Sequence, residues 1–211
     1  DYYGNDYFDD TYERHREGIT KFEKFKGYCT DVFFEESIRF IEENKENPFL
    51  LYISTNAPHS PYRVDKKWVT PYRNKVKWKF GAEFYGMITN FDHNLGLLRQ
   101  KLDELNLSNH SILVFLTDNG SAKGGREKPN ADEFHGFSAG MRGQKSTIFE
   151  GGHRVPFFIH YPAGGLKGGD DRHQLAAHID VLPTLADICQ VSTGDTFLDG
   201  HSFLPVLLDA K

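Results

Sequence analysis

The sequence is poor in cysteine and has no long apolar run. Cys29 and Cys189 are its only cysteines among 211 residues. We interpret them as two buried free thiols, with a disulfide between them as the less favoured alternative. A membrane-spanning helix needs about 20 consecutive apolar residues, and no stretch of the sequence approaches that length. The sequence therefore predicts no membrane span.

The chain also lacks an overall excess of positive charge. Its net charge is −5, which argues against a nucleic-acid-binding protein. Residues 63–79 are a local exception, with seven basic residues, one acidic residue and two tryptophans. Such a stretch can bind single-stranded nucleic acid or a sulfated glycan. We favour a solvated connector whose tryptophans pack on the body over nucleic-acid binding, and we leave glycan contact open.

The hydrophobic pattern predicts an α/β fold. Continuous apolar runs at residues 49–54, 112–117 and 157–161 are typical of strands that are covered on both faces, as in a parallel sheet. Residues 32–44, capped by Thr30 or Asp31, and residues 82–105 carry helical apolar stripes. We therefore expect a mostly parallel sheet flanked by helices.

Shorter patterns complete the outline. Residues 1–28 predict a surface hairpin or an irregular surface excursion, and residues 178–189 predict a helix. Residues 121–140 are too long and too polar for a plain connector, so we expect a functional loop there.

Polar residues follow two of the predicted strands. Asp118 and Asn119 come directly after the strand at residues 112–117, at the strand end where open α/β sheets place ligands. Their carboxylate and amide oxygens suit calcium or magnesium better than zinc. Lys145 follows on a glycine-containing loop, and His59 lies between two prolines after the strand at residues 49–54. This pattern suggests a hard cation and an anion held side by side.

Three segments carry a family resemblance. Asp118-Asn119-Gly120, the run RGQKSTIFEGGHRVP at residues 142–156 and the run APHSPY at residues 57–62 resemble the type I sulfatases. These are the formylglycine-dependent sulfuric ester hydrolases of the alkaline-phosphatase-like superfamily. The long second motif makes the resemblance specific.

The resemblance implies a role for each candidate residue. Asp118 and Asn119 would be calcium ligands, Lys145 would contact the sulfate, and His59 would lie against the sulfate ester. His59 and Lys145 are thus the predicted catalytic residues, and both also bind substrate. His153 fills a variable position of the motif and is a further candidate substrate contact. The substrate would be an aryl or carbohydrate sulfate ester, either a small molecule or a sulfated glycan.

The family's nucleophile motif is missing. Formylglycine is made from a Cys or Ser in a motif with Pro and Arg, and the sequences around Cys29 and Cys189 do not fit it. We therefore interpret residues 1–211 as one partial domain, the second half of a sulfatase catalytic domain, and expect it to be inactive alone. The resemblance implies a periplasmic, secreted or lysosomal compartment.

Two alternatives stay open at this point. A phosphoric ester hydrolase or transferase of the same superfamily would use zinc or manganese, and the His178-Ile179-Asp180 segment is its only hint. A non-catalytic module that binds sulfated glycans would use residues 63–79 instead.

Overall fold

The structure is a computed structural model that describes residues 7–16, 18–76, 79–122, 139–166 and 168–208. Most of the predicted functional loop at residues 121–140 lies outside the described residues. Two residues of the basic stretch, Lys77 and Trp78, also lie outside them.

The described residues combine helices with two small sheets. The α-helices and strands, in chain order, are β1 (Thr11–Arg16), β2 (Ile19–Lys24), α1 (Cys29–Asn44), α2 (Lys66–Val69), α3 (Gly81–Glu104), β3 (Leu113–Leu116), α4 (Glu150–His153), β4 (Phe157–His160), α5 (Val181–Ile188) and α6 (Leu204–Leu208). Short 3₁₀ turns lie at Thr70–Tyr72, Pro162–Gly164 and His178–Asp180. None of the described helices is both long enough and apolar enough to cross a membrane.

The predicted surface hairpin is confirmed. β1 and β2 pair antiparallel over six residues each, from Thr11 opposite Lys24 to Arg16 opposite Ile19. All side chains of β2 are exposed. Arg14 ties the hairpin together through Glu23, at 2.9 Å, and ties it to α1 through Glu36.

The expected parallel pairing is not found in the described strands. β3 and β4 pair antiparallel, with Leu113 opposite His160 and Leu116 opposite Phe157. The apolar runs identified these strands, but such a run reports burial and carries no information on strand direction. Burial itself is also incomplete, since every β3 residue is only partly buried and the Phe158 side chain is 65% exposed.

Residues 49–54 do not join a sheet within the described residues. Their side chains nevertheless alternate as in a strand. Phe49, Leu51 and Ile53 pack against the core, whereas Leu50 and Tyr52 are 81% and 87% exposed. The prediction of a strand covered on both faces is therefore wrong here, because one face is exposed and the segment has no sheet partner among the described residues.

Helices α1 and α3 form the core. One cluster of buried residues comprises Tyr7, Tyr28, Cys29 and Met87, and a second comprises Phe34, Ile41, Leu98 and Leu102. The helix predicted at residues 82–105 is confirmed as α3, one residue earlier at each end.

The predicted cap of α1 is wrong. The helix begins at Cys29, three residues earlier than expected, and its N-cap residue Tyr28 makes no side-chain capping bond. Asp31 instead lies in the first turn. Its Oδ1 accepts hydrogen bonds from the Nδ2 atoms of Asn90 and Asn94, at 2.6 and 2.7 Å. The carboxylate is therefore engaged by α3 and not by the backbone of its own helix.

The helix predicted at residues 178–189 is confirmed in part. It divides into the 3₁₀ turn His178–Asp180 and α5, with Asp180 at the N-cap position between them. Both cysteines are free thiols; Cys29 is buried, as expected, but Cys189 is exposed. Cys189 lies at the C-cap of α5, where the chain leaves the helix.

Candidate active site

Asp118 and Asn119 lie in a turn directly after β3. The Thr117 hydroxyl donates to the Asn119 carbonyl oxygen at 3.2 Å, and the Asn119 side-chain amide donates to the Gly120 carbonyl oxygen at 3.0 Å. Asn119 therefore keeps its amide oxygen available as a ligand. The Asp118 side chain is exposed and has no hydrogen-bond or ion-pair partner among the described residues.

The loop that carries Lys145 packs directly on this turn. The backbone N–H of Lys145 donates to the Ser121 carbonyl oxygen at 2.8 Å, and the Gly120 N–H donates to the Gly152 carbonyl oxygen at 3.0 Å. These two bonds hold the Lys145 loop against the turn of Asp118 and Asn119. The structure thus brings together three of the predicted site residues.

The Lys145 loop is shaped by contacts within itself. The Arg142 guanidinium lies 3.7 Å from the Phe149 ring centroid, and the Arg142 carbonyl oxygen accepts from the Gly151 N–H at 2.8 Å. Arg142 therefore braces the loop, as a cation over an aromatic face does. The Thr147 hydroxyl donates to the Gln144 carbonyl oxygen at 2.7 Å and so closes the turn around Lys145.

The glycines of this loop permit close backbone approach. A Cβ atom at Gly151 would lie 2.4 Å from the Gly143 carbonyl oxygen, and one at Gly152 would lie 2.3 Å from the Thr147 carbonyl oxygen. Gly151 and Gly152 lie inside the single helical turn α4. These positions therefore require glycine because the backbone packs closely around a helical turn, and not because they form a tight turn before β4.

His59 lies in a turn, although a residue close to prolines usually favours an extended backbone. Its backbone N–H donates to the Asn56 carbonyl oxygen at 2.7 Å, and its carbonyl oxygen accepts from the Tyr7 hydroxyl at 3.2 Å. The imidazole Nδ1 lies 2.7 Å from the Ser60 carbonyl oxygen. Because a carbonyl oxygen only accepts, Nδ1 carries the hydrogen, and the His59 side chain is exposed.

His59 is not joined to the other candidates. Within the described residues, no hydrogen bond, ion pair or ring contact links His59 to Asp118, Asn119 or Lys145. Its convergence with them on one pocket stays a prediction.

His153 is exposed at the end of α4. The neighbouring Arg154 pairs with Glu150 at 3.5 Å, as the sequence suggested. The salt bridge closes the helical turn that presents His153, whose substrate contact stays a prediction.

The sequence analysis missed two residues that position the site. Thr147 closes the Lys145 turn, and the His178 Nε2 lies 2.7 Å from the Thr117 carbonyl oxygen, directly before Asp118. Thr147 had a detectable signal, since a hydroxyl residue next to Gln-Lys-Ser is typical of a side-chain-closed turn. His178 had none, because 61 positions separate it from Thr117.

The available oxygens fit part of a calcium site. Calcium takes six to eight oxygen ligands, and Asp118 and Asn119 offer a free carboxylate and a free amide oxygen. The structure contains no group of three or more His, Cys, Asp or Glu side chains arranged to hold a metal within its described ranges. These two residues therefore suit calcium chemically but do not complete its coordination.

Neither cysteine of the chain lies at a position that fits formylglycine. Cys29 is buried at the start of α1 and Cys189 ends α5, and both positions are remote in sequence from the Asp118 turn. Neither cysteine is therefore assigned as the formylglycine nucleophile.

Asp180 is committed to backbone contacts. Its carboxylate oxygens accept from the N–H groups of His201, at 2.9 Å, and Ala177, at 2.8 Å. These bonds lower the pKa of Asp180 below its usual value. The His178-Ile179-Asp180 segment was the hint of a zinc or manganese phosphoesterase. Its Asp180 carboxylate instead binds backbone N–H groups around α5.

Comparison with known proteins identifies relatives for most of the chain. Human steryl-sulfatase is 29% identical over 175 residues, which cover 82% of this chain and 28% of that protein. Human N-acetylgalactosamine-6-sulfatase is 27% identical over 184 residues, covering 86% of this chain and 33% of that protein. The chain therefore spans a third or less of the length of these two relatives.

A solved structure is also similar to most of the chain. The crystal structure of Ps i-CgsB in complex with k-i-k-neocarrahexaose matches with a TM-score of 0.77 and 27% identity, over 90% of this chain and 41% of that one. The match confirms the predicted α/β fold of the alkaline-phosphatase-like class. The family model for sulfatases matches residues 1–191, and the chain belongs to the sulfatase family.

Proposed function

We propose that these residues act as part of a longer sulfuric ester hydrolase and supply one side of its calcium and sulfate site. The observation that carries the proposal is the bond from the Lys145 N–H to the Ser121 carbonyl oxygen. It holds the backbone of Lys145 next to the turn that carries Asp118 and Asn119, which supports a shared site. Family membership supports the hydrolysis of sulfate esters in general.

The proposed roles follow from the chemistry of each side chain. Asp118 and Asn119 would hold the calcium ion, which when bound neutralises charge on the sulfate oxygens. The Lys145 ammonium would contact another sulfate oxygen as a point charge. His59 holds a hydrogen on Nδ1, so only its doubly protonated imidazolium form would donate from Nε2 to the sulfate ester or to the leaving oxygen.

The nucleophile would come from residues outside these 211. The chain alone is therefore expected to be inactive toward 4-nitrophenyl sulfate, because it has no formylglycine motif and only part of a calcium site. Turnover by the isolated chain that disappears in Lys145→Ala would contradict this expectation.

The full-length protein that contains this segment provides the positive test. Lys145→Ala and His59→Ala should each lower kcat/KM for an aryl sulfate by about a hundredfold or more, the usual cost of losing a charge-stabilising or proton-donating group. Lys101→Ala is a suitable control, since Lys101 forms salt bridges with Glu42 and Glu104 and lies on α3. Unchanged kcat/KM in Lys145→Ala would remove the proposed role of Lys145.

Calcium binding tests the other half of the site. Asp118→Asn in the full-length protein should reduce the rise in melting temperature that added calcium produces, because a more weakly bound ligand stabilises the folded state less at the same concentration. Asp92→Asn is a matched control, since Asp92 is exposed on α3. Equal calcium responses in both variants would exclude Asp118 as a ligand.

A further inference from the structure

A strip of exposed positive charge directly follows the His59 loop along the chain. We define the cationic ridge as the six described basic residues of 63–79, all of which are exposed: Arg63, Lys66, Lys67, Arg73, Lys75 and Lys79. Only Asp65 opposes them in this stretch, although the chain as a whole has a net charge of −5. The positive charge is therefore concentrated in one segment.

The backbone of the ridge is held in place by its inward-facing residues. Val69 is 3% exposed, and a Cβ atom at Gly86 of α3 would lie 3.1 Å from the Trp68 backbone. The Tyr72 hydroxyl lies 2.6 Å from the Thr89 hydroxyl, and the Tyr72 ring stacks on Tyr85 at 5.6 Å. Because the inner face is fixed on α3, the cations on the outer face are held in a stable arrangement.

Lys66, Arg73 and Lys75 are not neutralised by ion pairs. None of the three has a carboxylate partner within the residues described. The ammonium groups of Lys67 and Lys79 lie over the rings of Trp68 and Phe80, at 4.9 and 5.1 Å, which leaves their charge in place. These five residues therefore present their charge to solvent.

One end of the ridge meets the His59 loop. The Tyr62 and Phe80 rings lie 5.9 Å apart and join the end of that loop to the Lys79 end of the ridge. Burial raises the pKa of Tyr7, and the charge of Arg63 acts in the opposite direction. The Tyr7 hydroxyl in turn bonds the His59 carbonyl oxygen.

We propose that the cationic ridge binds the sulfate groups of a sulfated polysaccharide that extends beyond the ester at the active site. The role as a substrate surface rests on the proposed function, and it specifies a polymeric carbohydrate sulfate as the substrate class. Exposed single charges attract weakly and are screened by salt, so a lone sulfate would not be held. A polymer that contacts several cations together would be.

The aromatic residues separate this partner from single-stranded nucleic acid. Binding of single strands depends on bases stacking on exposed aromatic rings. The described rings of the segment face inward: Tyr72 is hydrogen bonded and stacked on α3, and the Trp68 ring packs 5.1 Å from His93. Recognition of sulfate groups needs the cations alone, and these face outward.

Retention on immobilised heparin, a sulfated polysaccharide, tests the proposal with the chain itself. The ridge variant combines Lys66→Gln, Lys67→Gln, Arg73→Gln and Lys75→Gln. The control variant removes the same charge from other exposed sites by Lys21→Gln, Lys24→Gln, Lys26→Gln and Lys45→Gln. We expect the ridge variant to bind heparin about tenfold or more weakly, and the control about twofold or less.

Several results would overturn the proposal. These are no heparin binding by the unaltered chain, equal loss in both variants, or equal affinity for desulfated heparin or oligothymidylate. Melting temperatures verify that the variants fold. The charge-conserving variant that combines Lys66→Arg, Lys67→Arg and Lys75→Arg should retain heparin binding. Activity of the full-length protein on 4-nitrophenyl sulfate is read separately. If the full-length protein does not hydrolyse 4-nitrophenyl sulfate but heparin binding is intact, the result counts against the proposed function and not against the ridge.

Discussion

The backbones of Gly120 and Gly151 meet so closely that a Cβ atom at Gly120 would lie 2.0 Å from the Gly151 carbonyl oxygen. This contact seats the Lys145 loop on the turn of Asp118 and Asn119. No side chain fits between them. The two segments that carry the family's motifs therefore depend on each other for their positions.

Gly120→Ala should separate these segments. We expect it to lower the free energy of unfolding by about 1–3 kcal/mol, the usual cost of overpacking, as measured by urea denaturation. Gly96→Ala is the control. Gly96 lies within α3, and a Cβ atom there would meet no other atom within 4 Å, so alanine should stabilise by about 0.5–1 kcal/mol. The same sign of change in both variants would contradict this explanation.

Asp31→Ala tests the contact between α1 and α3. Its loss leaves the buried Asn90 amide without the acceptor at 2.6 Å, whereas Asn94 keeps a second acceptor, the Asn90 carbonyl oxygen at 2.9 Å. We expect destabilisation of about 2–3 kcal/mol, since hydrogen bonds to a charged group are among the stronger ones.

The control for Asp31 lies on the same helix. Glu35 is exposed on α1, so Glu35→Ala should change the free energy of unfolding by no more than about 0.5 kcal/mol. If the two variants unfold at the same urea concentration, Asp31 does not contribute through α3.

Asp180 should make stability depend on pH in the acid range. Its pKa is lower in the folded chain than in the unfolded one, because the N–H groups of His201 and Ala177 stabilise the carboxylate. The carboxylate therefore contributes stability above the unfolded pKa of about 4, and this is lost as the pH falls through the folded pKa. Melting temperatures of the unaltered chain and Asp180→Asn should differ at neutral pH and converge in acid. A difference that is constant with pH would exclude this linkage.

The two thiols should differ sharply in reactivity. Cys29 is buried, and burial raises its pKa, so that little reactive thiolate forms. Cys189 is exposed. Iodoacetamide should therefore modify Cys189 in the native chain and both cysteines in concentrated guanidinium chloride, with peptide mass spectrometry to locate the label. Rapid native labelling of Cys29 would show that the start of α1 opens.

Sequence reasoning succeeded where one segment determines its own structure. The apolar stripe of residues 82–105 located α3 to within one residue at each end, because helical hydrogen bonds are local. The motif around Lys145 predicted a loop next to Asp118, and the bond to Ser121 confirms that neighbourhood.

It failed where the outcome depends on a distant partner. The continuous apolar run of residues 49–54 predicted a strand covered on both faces, but what covers each face and which strand lies beside it are not encoded within the run. The antiparallel direction of β3 and β4 and the engagement of Asp31 by Asn90 are further cases. Each joins residues that are more than 40 positions apart.

The polar contact between α1 and α3 also has a consequence for His59. Along α3, Asn90 and Asn94 stand between Met87 and Leu98, which belong to different apolar clusters. Sliding α1 by one turn, about 5.4 Å, would set the Asp31 carboxylate against hydrocarbon, so the two helices have a single axial register. Tyr28, directly before α1, stacks on Tyr7, whose hydroxyl holds the His59 carbonyl oxygen. The axial register of α1 and α3 therefore determines the position of the His59 backbone, which carries the imidazole.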